Sequence, residues 1–264
     1  MKSKSVLITG GTRGLGYAMA VAMINQGHKV AITGRDDRKL EEVANSLPGC
    51  VAIKADVADP GQTASVIQEA AQGIGQIDVL INNAGIGGAE NGPQTLVDSD
   101  ADTWWRVQET NVRGPMLYSK AVLPAMLQRA NGVIINVGSY IAIRPSPMAT
   151  AYGTSKAALA RFSDCLAAEV AERGVQVFCV SPGLVLTDLT QDLPFIKDIP
   201  REEFYQPEQM AALACELSTG KYAKLTGHFI HVRDDLSELL ANADRLRDER
   251  LHLLSMHGLN GLIV

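Results

Sequence analysis

Short runs of apolar and β-branched residues recur seven times along the chain, and each is too short to form a buried helix. We interpret them as buried strands; in order they read SVLIT, KVAIT, CVAIKA, DVLIN, GVIINV, VQVFCV and HFIHV. Amphipathic stretches separate them, and one apolar stripe before Gly27 is formed by Leu15, Ala18, Met19, Ala22 and Met23. This alternation predicts an α/β fold, a doubly wound parallel sheet of about seven strands with helices on both faces.

The organisation along the chain predicts a single domain of the Rossmann type over residues 1–264. No repeat, low-complexity tract or Pro/Gly-rich linker divides it. Two segments depart from the alternation: residues 184–206, which we interpret as a lid, and residues 234–264, which we interpret as a C-terminal helical extension. The leucines of the extension form a helical stripe that could pack on its own subunit or reach a neighbouring one.

The composition excludes several classes of partner. A hydrophobic fraction of 46% and a mean hydropathy of +0.04 are typical of a soluble globular protein, and no apolar run approaches the length of a membrane span. A net charge of −5 without a basic cluster offers no surface for nucleic acid or an anionic membrane, so we expect small-molecule partners. Four single cysteines and five scattered histidines predict no disulfide framework and no metal site, and the reduced cysteines predict a cytoplasmic location.

A glycine-rich turn directly follows the first predicted strand and opens the first predicted helix. It reads TGGTRGLG, with glycines at Gly10, Gly14 and Gly16 that let the backbone approach a pyrophosphate at a helix N-terminus. The spacing is neither the common dinucleotide pattern G-x-G-x-x-G nor a phosphate loop for ATP or GTP. The turn therefore predicts a dinucleotide site, and the alternative is a tight turn that holds no ligand.

The residues after the second strand bear on the choice of dinucleotide. An NAD site usually has an acidic residue there for the ribose 2′-hydroxyl, whereas this strand ends in Gly34 and Arg35. A second arginine, Arg13, lies in the glycine-rich turn, and two guanidiniums could bind a 2′-phosphate. We therefore predict NADP as the cofactor and NAD as less favoured. The alternative is that both arginines are solvated and Asp36 or Asp37 supplies the acidic group.

A tyrosine and a lysine lie four residues apart in the stretch YGTSKAALARF, which has the composition of a helix. At this spacing Tyr152 and Lys156 share a helix face, and an ammonium beside a phenol lowers its pKa by up to about three units. A phenol titrating near neutral pH is a general acid/base. Tyr140 and Arg144 have the same spacing, but Pro145 should keep them off a common helical face.

Several motifs occur together and in order, and together the chain resembles the short-chain dehydrogenase/reductase family from about Ser3 to Val232. The motifs are TGGTRGLG, NNAG, NVRG, the serine of NVGS thirteen residues before YGTSK, and SPGLVLTD. The resemblance implies that Tyr152 is the catalytic acid/base, that Lys156 binds the nicotinamide ribose and lowers the pKa of the phenol, and that Ser139 hydrogen-bonds the substrate oxygen. It also implies that Asn111 holds a water in a proton relay.

The same resemblance implies the residues that bind the cofactor. It places Asp56 at the adenine, Asn82, Ala84 and Gly85 beside the ribose and central sheet, and Pro182, Gly183 and Thr187 at the nicotinamide amide. The full predicted set is Gly10, Thr12, Arg13, Gly14, Leu15, Gly16, Arg35, Asp56, Val57, Asn83, Ala84, Gly85, Tyr152, Lys156, Pro182, Gly183, Val185 and Thr187. Each has a structural alternative: Asn111 could cap or bend its helix, Ser139 could bond to backbone, and Asp56 could be a turn residue.

The activity predicted from these residues is hydride transfer between NADP and a carbonyl or secondary alcohol, without a metal. Apolar residues of the lid predict an apolar or medium-sized ketone as substrate; they are Leu184, Leu186, Leu189, Leu193, Phe195, Ile196, Ile199, Phe204 and Tyr205. Arg144 or Arg201 could instead receive a carboxylate or phosphate. Alternatives are a non-catalytic dinucleotide-binding regulatory protein, a reductase of a sugar or acyl thioester, and an epimerase or dehydratase, for which the chain is short.

The chain departs from the family pattern after its last predicted strand. A D-G-G turn is common there in the family, and this chain instead continues HVRDDLSELL. The resemblance implies a homodimer through the helices near Asn111 and Tyr152, and a homotetramer that uses the C-terminal region is the less secure expectation.

Overall fold

The seven predicted strands all form in a computed structural model, which describes residues 2–87, 94–191 and 193–254. They are β1 (Ser5–Ile8), β2 (Lys29–Gly34), β3 (Val51–Lys54), β4 (Val79–Asn82), β5 (Gly132–Val137), β6 (Val175–Ser181) and β7 (Phe229–His231). The strands form one sheet in the order β3-β2-β1-β4-β5-β6-β7, and every pairing is parallel. The predicted Rossmann-type sheet is therefore confirmed.

Helices connect the strands and cover both faces of the sheet. They are α1 (Gly14–Asn25), α2 (Asp37–Ser46), α3 (Thr63–Ile74), α4 (Ala101–Gln108), α5 (Gly114–Gln128), α6 (Thr150–Val170), α7 (Pro207–Ser218), α8 (Leu236–Ala241) and α9 (Ala243–Asp248). A π-helical turn, Glu109–Arg113, joins α4 to α5. The predicted helices after the glycine-rich turn and around Tyr152 correspond to α1 and α6.

Two apolar cores lie on opposite faces of the sheet. One contains side chains of α1, α2, α7 and α9, and the other contains side chains of α3, α5 and α6. Successive residues of β1 alternate between them, with Val6 and Ile8 in the first and Leu7 in the second. Because the strands are covered on both sides, they carry no polar face, which is why the sequence shows continuous apolar runs.

The order of the strands places a binding crevice between β1 and β4. The chain builds outwards from β1 to β2 and β3 on one side, and from β4 to β7 on the other. Ligands of such sheets bind outside the carboxyl ends of the strands where this direction reverses. The glycine-rich turn follows β1 and the NNAG motif follows β4, so both lie at this point.

The two irregular segments pack on the same chain. Between β6 and α7, Val185 pairs with Tyr205 in an isolated bridge, while residue 192 and the side chains of Pro194 and Phe195 lie outside the described part. The extension forms α8 and α9. Its leucine stripe packs on the subunit's own core, where Leu246 is buried. Residues 255–264 lie outside the described part of the chain. No helix among the described residues has the length and apolarity needed to cross a membrane.

Candidate active site

The glycine-rich turn is held by side chains from the end of β4 and by its own threonine. Asn83 donates through Nδ2 to the carbonyl oxygens of Thr9 at 3.0 Å and Gly10 at 2.9 Å, and the Thr9 hydroxyl accepts from the Asn83 and Ala84 amides. Gly10 has a φ of +66°, and a Cβ there would lie 2.9 Å from the Ala84 Cα. A Cβ on Gly16 would lie 2.2 Å from the Gly10 carbonyl oxygen. At both glycines another part of the backbone is so close that a residue with a Cβ would clash with it.

The first turn of α1 has the properties of a phosphate site. Arg13 occupies the N-cap, its side chain makes no capping hydrogen bond to the helix, and the turn contains no acidic residue. The amides of the first helical turn have no intrahelical acceptor, and they combine with the partial positive charge of the helix N-terminus. Gly14 faces Thr187, since a Cβ on this glycine would lie 3.6 Å from the threonine methyl carbon. These residues fit the pyrophosphate of a dinucleotide.

The two arginines predicted to bind a 2′-phosphate differ in their partners. Arg35 follows β2, is exposed, and forms no ion pair with a described carboxylate. Arg13 pairs with Asp188 beyond β6. The two aspartates that follow Arg35 are used elsewhere, because Asp36 caps α2 by accepting from the Lys39 amide at 3.2 Å and Asp37 pairs with Lys54. Of these four side chains, Arg35 is therefore the one without an ion-pair or hydrogen-bond partner among the described groups.

Asp56 lies just beyond β3, where the resemblance implies the adenine. Its carboxylate accepts from the Ala58 amide at 3.0 Å and pairs with Arg106 on α4, so it is also a turn residue. Val57 beside it is buried against Gly114, where a Cβ would lie 3.1 Å from the Val57 carbonyl oxygen. The part of Asp56 and Val57 in binding adenine remains a prediction.

The predicted catalytic residues converge at the carboxyl end of β5 and on one face of α6. The Lys156 Nζ donates to the carbonyl oxygen of Val137 at 2.8 Å and lies 5.5 Å from the centroid of the Tyr152 ring. Ser139 follows β5, and its side chain lies near the Tyr152 phenol and favours the ionised form of the phenol. Gly85 lies against Lys156, since a Cβ on this glycine would lie 3.6 Å from Nζ. The site therefore faces the crevice at β1 and β4.

The pKa of the phenol departs from the expectation. Burial raises the pKa of Tyr152 to about 12, and the polar side chain of Ser139 opposes this rise. Burial also lowers the pKa of Lys156 to about 8. The prediction that the Lys156 ammonium lowers the pKa of the Tyr152 phenol towards 7 is wrong for the protein without its cofactor. Desolvation disfavours the phenolate more than the neighbouring side chains favour it.

Asn111 is fully buried within the π-helical turn, and its amide group is engaged on two sides. Nδ2 donates to the carbonyl oxygen of Ile86 and to the Ser155 hydroxyl, each at 2.9 Å, and Oδ1 accepts from the Ile86 amide at 2.9 Å. Both donors are therefore used to join the loop after β4 to α6. The residue lies in a π-helical turn between α4 and α5, a local widening of the helix. Its place beside a relay water remains a prediction.

The residues predicted at the nicotinamide follow β6 and contact the proposed lid. Gly183 has a φ of +73° and lies flat on Tyr205, since a Cβ there would be 2.3 Å from the ring. Val185 is buried and pairs with Tyr205, and Thr187 faces the glycine-rich turn at Gly14. Pro182 precedes this turn, so the chain after β6 closes the crevice from the side opposite β2.

The comparisons with known proteins agree with this architecture. The short chain dehydrogenase family model matches residues 4–195. The chain belongs to the short-chain dehydrogenase/reductase family. It is 30% identical to a short chain dehydrogenase of Pseudocercospora fijiensis over 97% of this chain and 90% of that one. It is also 30% identical to the 3-oxoacyl-[acyl-carrier-protein] reductase of Salmonella typhimurium, over 88% of this chain and 96% of that one.

A solved structure with the same fold contains a nicotinamide cofactor. The crystal structure of 3-ketoacyl-(acyl-carrier-protein) reductase from Brucella melitensis complexed with NADH superposes with a TM-score of 0.81 at 29% identity, covering 88% of this chain and 97% of that one. The protein is therefore an oxidoreductase-family member with a site for a nicotinamide dinucleotide. The described residues contain no cluster of side chains able to hold a metal ion.

Several residues of the site are not apparent from the sequence. Arg106 pairs with a predicted cofactor residue 50 positions away, and no local pattern marks it. Asp188 ends the SPGLVLTD motif, but the motif does not reveal its pairing with Arg13, which lies 175 positions away. Tyr205 is visible only as one apolar residue of the lid. Ser155 could have been found from the sequence, because it is a small polar residue beside Lys156 in YGTSK. It is buried, and its hydroxyl accepts a hydrogen bond from Asn111.

Proposed function

We propose that the protein is an NADP-dependent reductase of carbonyl compounds. The observation that carries the proposal is the Tyr152 phenol beside the side chains of Ser139 and Lys156, at the crevice that binds the dinucleotide in this family. When bound, the dinucleotide supplies the hydride that the carbonyl carbon receives. The chain itself has to orient the carbonyl, stabilise its oxygen and deliver a proton.

The protonation state of Tyr152 favours reduction over oxidation. A phenol with a pKa of about 12 stays protonated throughout the physiological range. Ser139 and Tyr152 would each donate a hydrogen bond to the carbonyl oxygen, and Tyr152 would transfer its proton as the alkoxide forms. An alkoxide is a far stronger base than a phenolate, so the transfer is downhill despite the raised pKa.

The preference for NADP rests on Arg35 and Arg13. Arg35 is an exposed guanidinium without a described carboxylate partner at the end of β2, and both neighbouring aspartates are used elsewhere. A guanidinium binds a 2′-phosphate in a bidentate geometry, whereas a 2′-hydroxyl needs an acceptor. NADPH should therefore be used with a higher kcat/KM than NADH.

The proposed substrate is an apolar or medium-sized ketone. Leu186 and Leu189 are 48% and 41% exposed beyond β6, and Leu189 reaches Gly87 after β4, so apolar side chains border the crevice. A second candidate is a 3-oxoacyl thioester, which is favoured by the two similar reductases of acyl-carrier-protein substrates. A panel of aliphatic ketones and acetoacetyl thioesters, followed by loss of NADPH absorbance, separates the two.

Replacing Tyr152 by phenylalanine tests the proposed activity. The Tyr152→Phe variant should bind NADPH as the wild type does and lose at least about a hundredfold in kcat, because it lacks only the transferable proton. Tyr222→Phe is the matched control, since Tyr222 is bonded to Glu216 away from the crevice. Unchanged turnover in Tyr152→Phe would refute the assignment, and a dinucleotide-binding protein without activity would show no turnover in the wild type either.

A further inference from the structure

A second cavity lies on the other side of the wall that carries the catalytic residues. It has a volume of about 840 Å³ and is bounded by the loop 140–149, one face of α6, β7 and residues 252–254. The residues of α6 that line it follow a spacing of three and four, and Tyr152 and Lys156 are not among them. Residues of the proposed lid are also absent from its described wall. The cavity is therefore distinct from the crevice.

Two arginines converge on one tyrosine at this cavity. The Arg144 Cζ lies 5.6 Å from the centroid of the Tyr140 ring, and the Arg233 Cζ lies 5.7 Å from the same centroid. All three residues line the cavity. Neither arginine forms an ion pair with a carboxylate in the described ranges. Two like charges are thus held near one ring, and an anion between or beside them would relieve their repulsion.

The acidic groups of the cavity wall are already engaged. Asp234 accepts from the His231 amide at 2.7 Å, and its carboxylate lies 3.7 Å from the His252 Nδ1. Asp164 pairs with Arg161 through Oδ2 at 2.7 Å, and its Oδ1 is buried without a hydrogen-bond partner among the described groups. Burial and the charge of Arg233 lower the pKa of His231, so this ring is neutral at pH 7. The arginines are therefore the groups of the described wall left to bind an anion.

Part of the remaining wall is apolar. Ile141, Ala157, Ala160, Phe229 and Leu254 also line the cavity. Such a wall suits an aliphatic body, while guanidiniums suit a carboxylate or a phosphate.

We propose that this cavity binds a small organic anion with an aliphatic body, independently of the hydride-transfer site. Arg144 and Arg233 hold its charged group, and the apolar wall contacts its chain. Tyr140 follows Ser139 and Gly153 follows Tyr152, so the lining of the cavity is adjacent in sequence to two of the predicted catalytic residues. The ligand need not be a substrate, because its site does not depend on the proposed reaction.

Calorimetric binding of octanoate to the full chain tests the proposal, with 1-octanol as the neutral ligand of equal chain length. Octanoate should bind the wild type, and the double variant Arg144→Ala, Arg233→Ala should raise its Kd about tenfold or more. Octanol should bind both proteins alike. The control is the double variant Arg38→Ala, Arg173→Ala, which removes two other exposed arginines and should leave octanoate binding unchanged. Ala157→Leu, which fills the apolar wall, should weaken both ligands.

Three results would overturn the proposal. These are octanoate binding that is equally tight in the double variant, octanoate binding that is undetectable in the wild type at millimolar concentration, and an equal loss of octanol binding in the double variant. Tyr152→Phe should bind octanoate like the wild type. Loss of binding there would place octanoate in the crevice and refute the separate site. Because these measurements need no turnover, they stand apart from the test of the reductase activity.

Discussion

Lys156 is a buried cation, and its surroundings determine how the protein responds to pH. Its side chain is 4% exposed, and its single hydrogen-bonding partner among the described groups is the carbonyl oxygen of Val137. Desolvation therefore lowers the pKa of the amine to about 8. The same site holds a phenol whose pKa burial raises, so both groups favour their neutral forms. The surrounding protein groups thus keep the Tyr152 phenol protonated, so that it can donate a proton.

Stability should consequently rise with pH because of Lys156. Between a pKa of about 8 in the folded protein and 10.5 in the unfolded chain, the unfolded chain holds a proton that the folded protein has lost. The free energy of unfolding then increases with pH in this window. Relative to Lys156→Met, the wild type should gain about 2 to 3 kcal/mol between pH 8 and 10. Urea denaturation at several pH values measures the difference, and a pH-independent difference would contradict the prediction.

Arg35 should determine the choice between the two dinucleotides. Arg35→Ala removes a charge-assisted contact to a 2′-phosphate, so kcat/KM for NADPH should fall about ten- to a hundredfold while kcat/KM for NADH stays nearly unchanged. Steady-state kinetics with both cofactors measure this. Arg38→Ala is the control, because Arg38 pairs with Glu42 on the surface of α2. An equal loss with both cofactors in Arg35→Ala would indicate a structural role.

The candidate site was predictable from the sequence where its residues belong to local patterns. The spacing of Tyr152 and Lys156 follows from helix geometry, and the structure places them on α6 as predicted. The pKa of the phenol was not predictable, because a spacing gives the distance between two groups and not their burial. Arg144 shows the same limit: Pro145 does end the helical turn at Tyr140, yet the guanidinium reaches the ring from the loop.

Two helical glycines of the site differ in what surrounds them, and they make a matched pair. A Cβ on Gly153 of α6 would lie 3.8 Å from the nearest atom of Ile141, an ordinary contact. Gly153→Ala should therefore raise the free energy of unfolding by about 0.5 to 1 kcal/mol. A Cβ on Gly16 of α1 would lie 2.2 Å from the Gly10 carbonyl oxygen. Gly16→Ala should lower stability by about 1 to 3 kcal/mol.

Urea denaturation of both variants measures these changes, and dinucleotide titration adds a second readout. Gly16→Ala should also weaken NADPH binding, because the first turn of α1 must shift away from the glycine-rich turn. Gly153→Ala should leave it unchanged. Similar stabilities for the two variants would contradict the close approach at Gly16.

At the scale of elements, most of the fold was predictable from the alternation of apolar runs and amphipathic stretches in the sequence. All seven apolar runs became strands, because only a sheet covered on both faces accepts uninterrupted apolar segments. The π-helical turn at Asn111 was not predictable, since it depends on hydrogen bonds to Ile86 and Ser155, which are distant in sequence. The C-terminal stripe reads as one helix but divides at Asn242 into α8 and α9, as burial of Leu246 sets the direction of the second helix.

Three large apolar side chains near α4 are exposed on the described surface of the subunit. Trp105 is 63% exposed, and Leu96 and Val97 just before the helix are 63% and 94% exposed. The helix α4 packs on α6 and continues through the π-helical turn that holds Asn111. The resemblance implies a homodimer through this region, and large exposed apolar side chains are typical of such an interface.

Trp105→Glu should therefore weaken self-association without unfolding the chain. The side chain is mostly in solvent, so the subunit loses little packing, whereas a charge placed in a buried interface raises the dissociation constant by about tenfold or more. Light scattering over a range of concentrations measures the mass, which for the wild type should be a multiple of 28.2 kDa. Gln72→Glu on the exposed side of α3 carries the same charge change and should leave the mass unaltered. An identical mass for Trp105→Glu and the wild type at every concentration would exclude α4 from the interface, because a single buried carboxylate has no partner there to offset its desolvation.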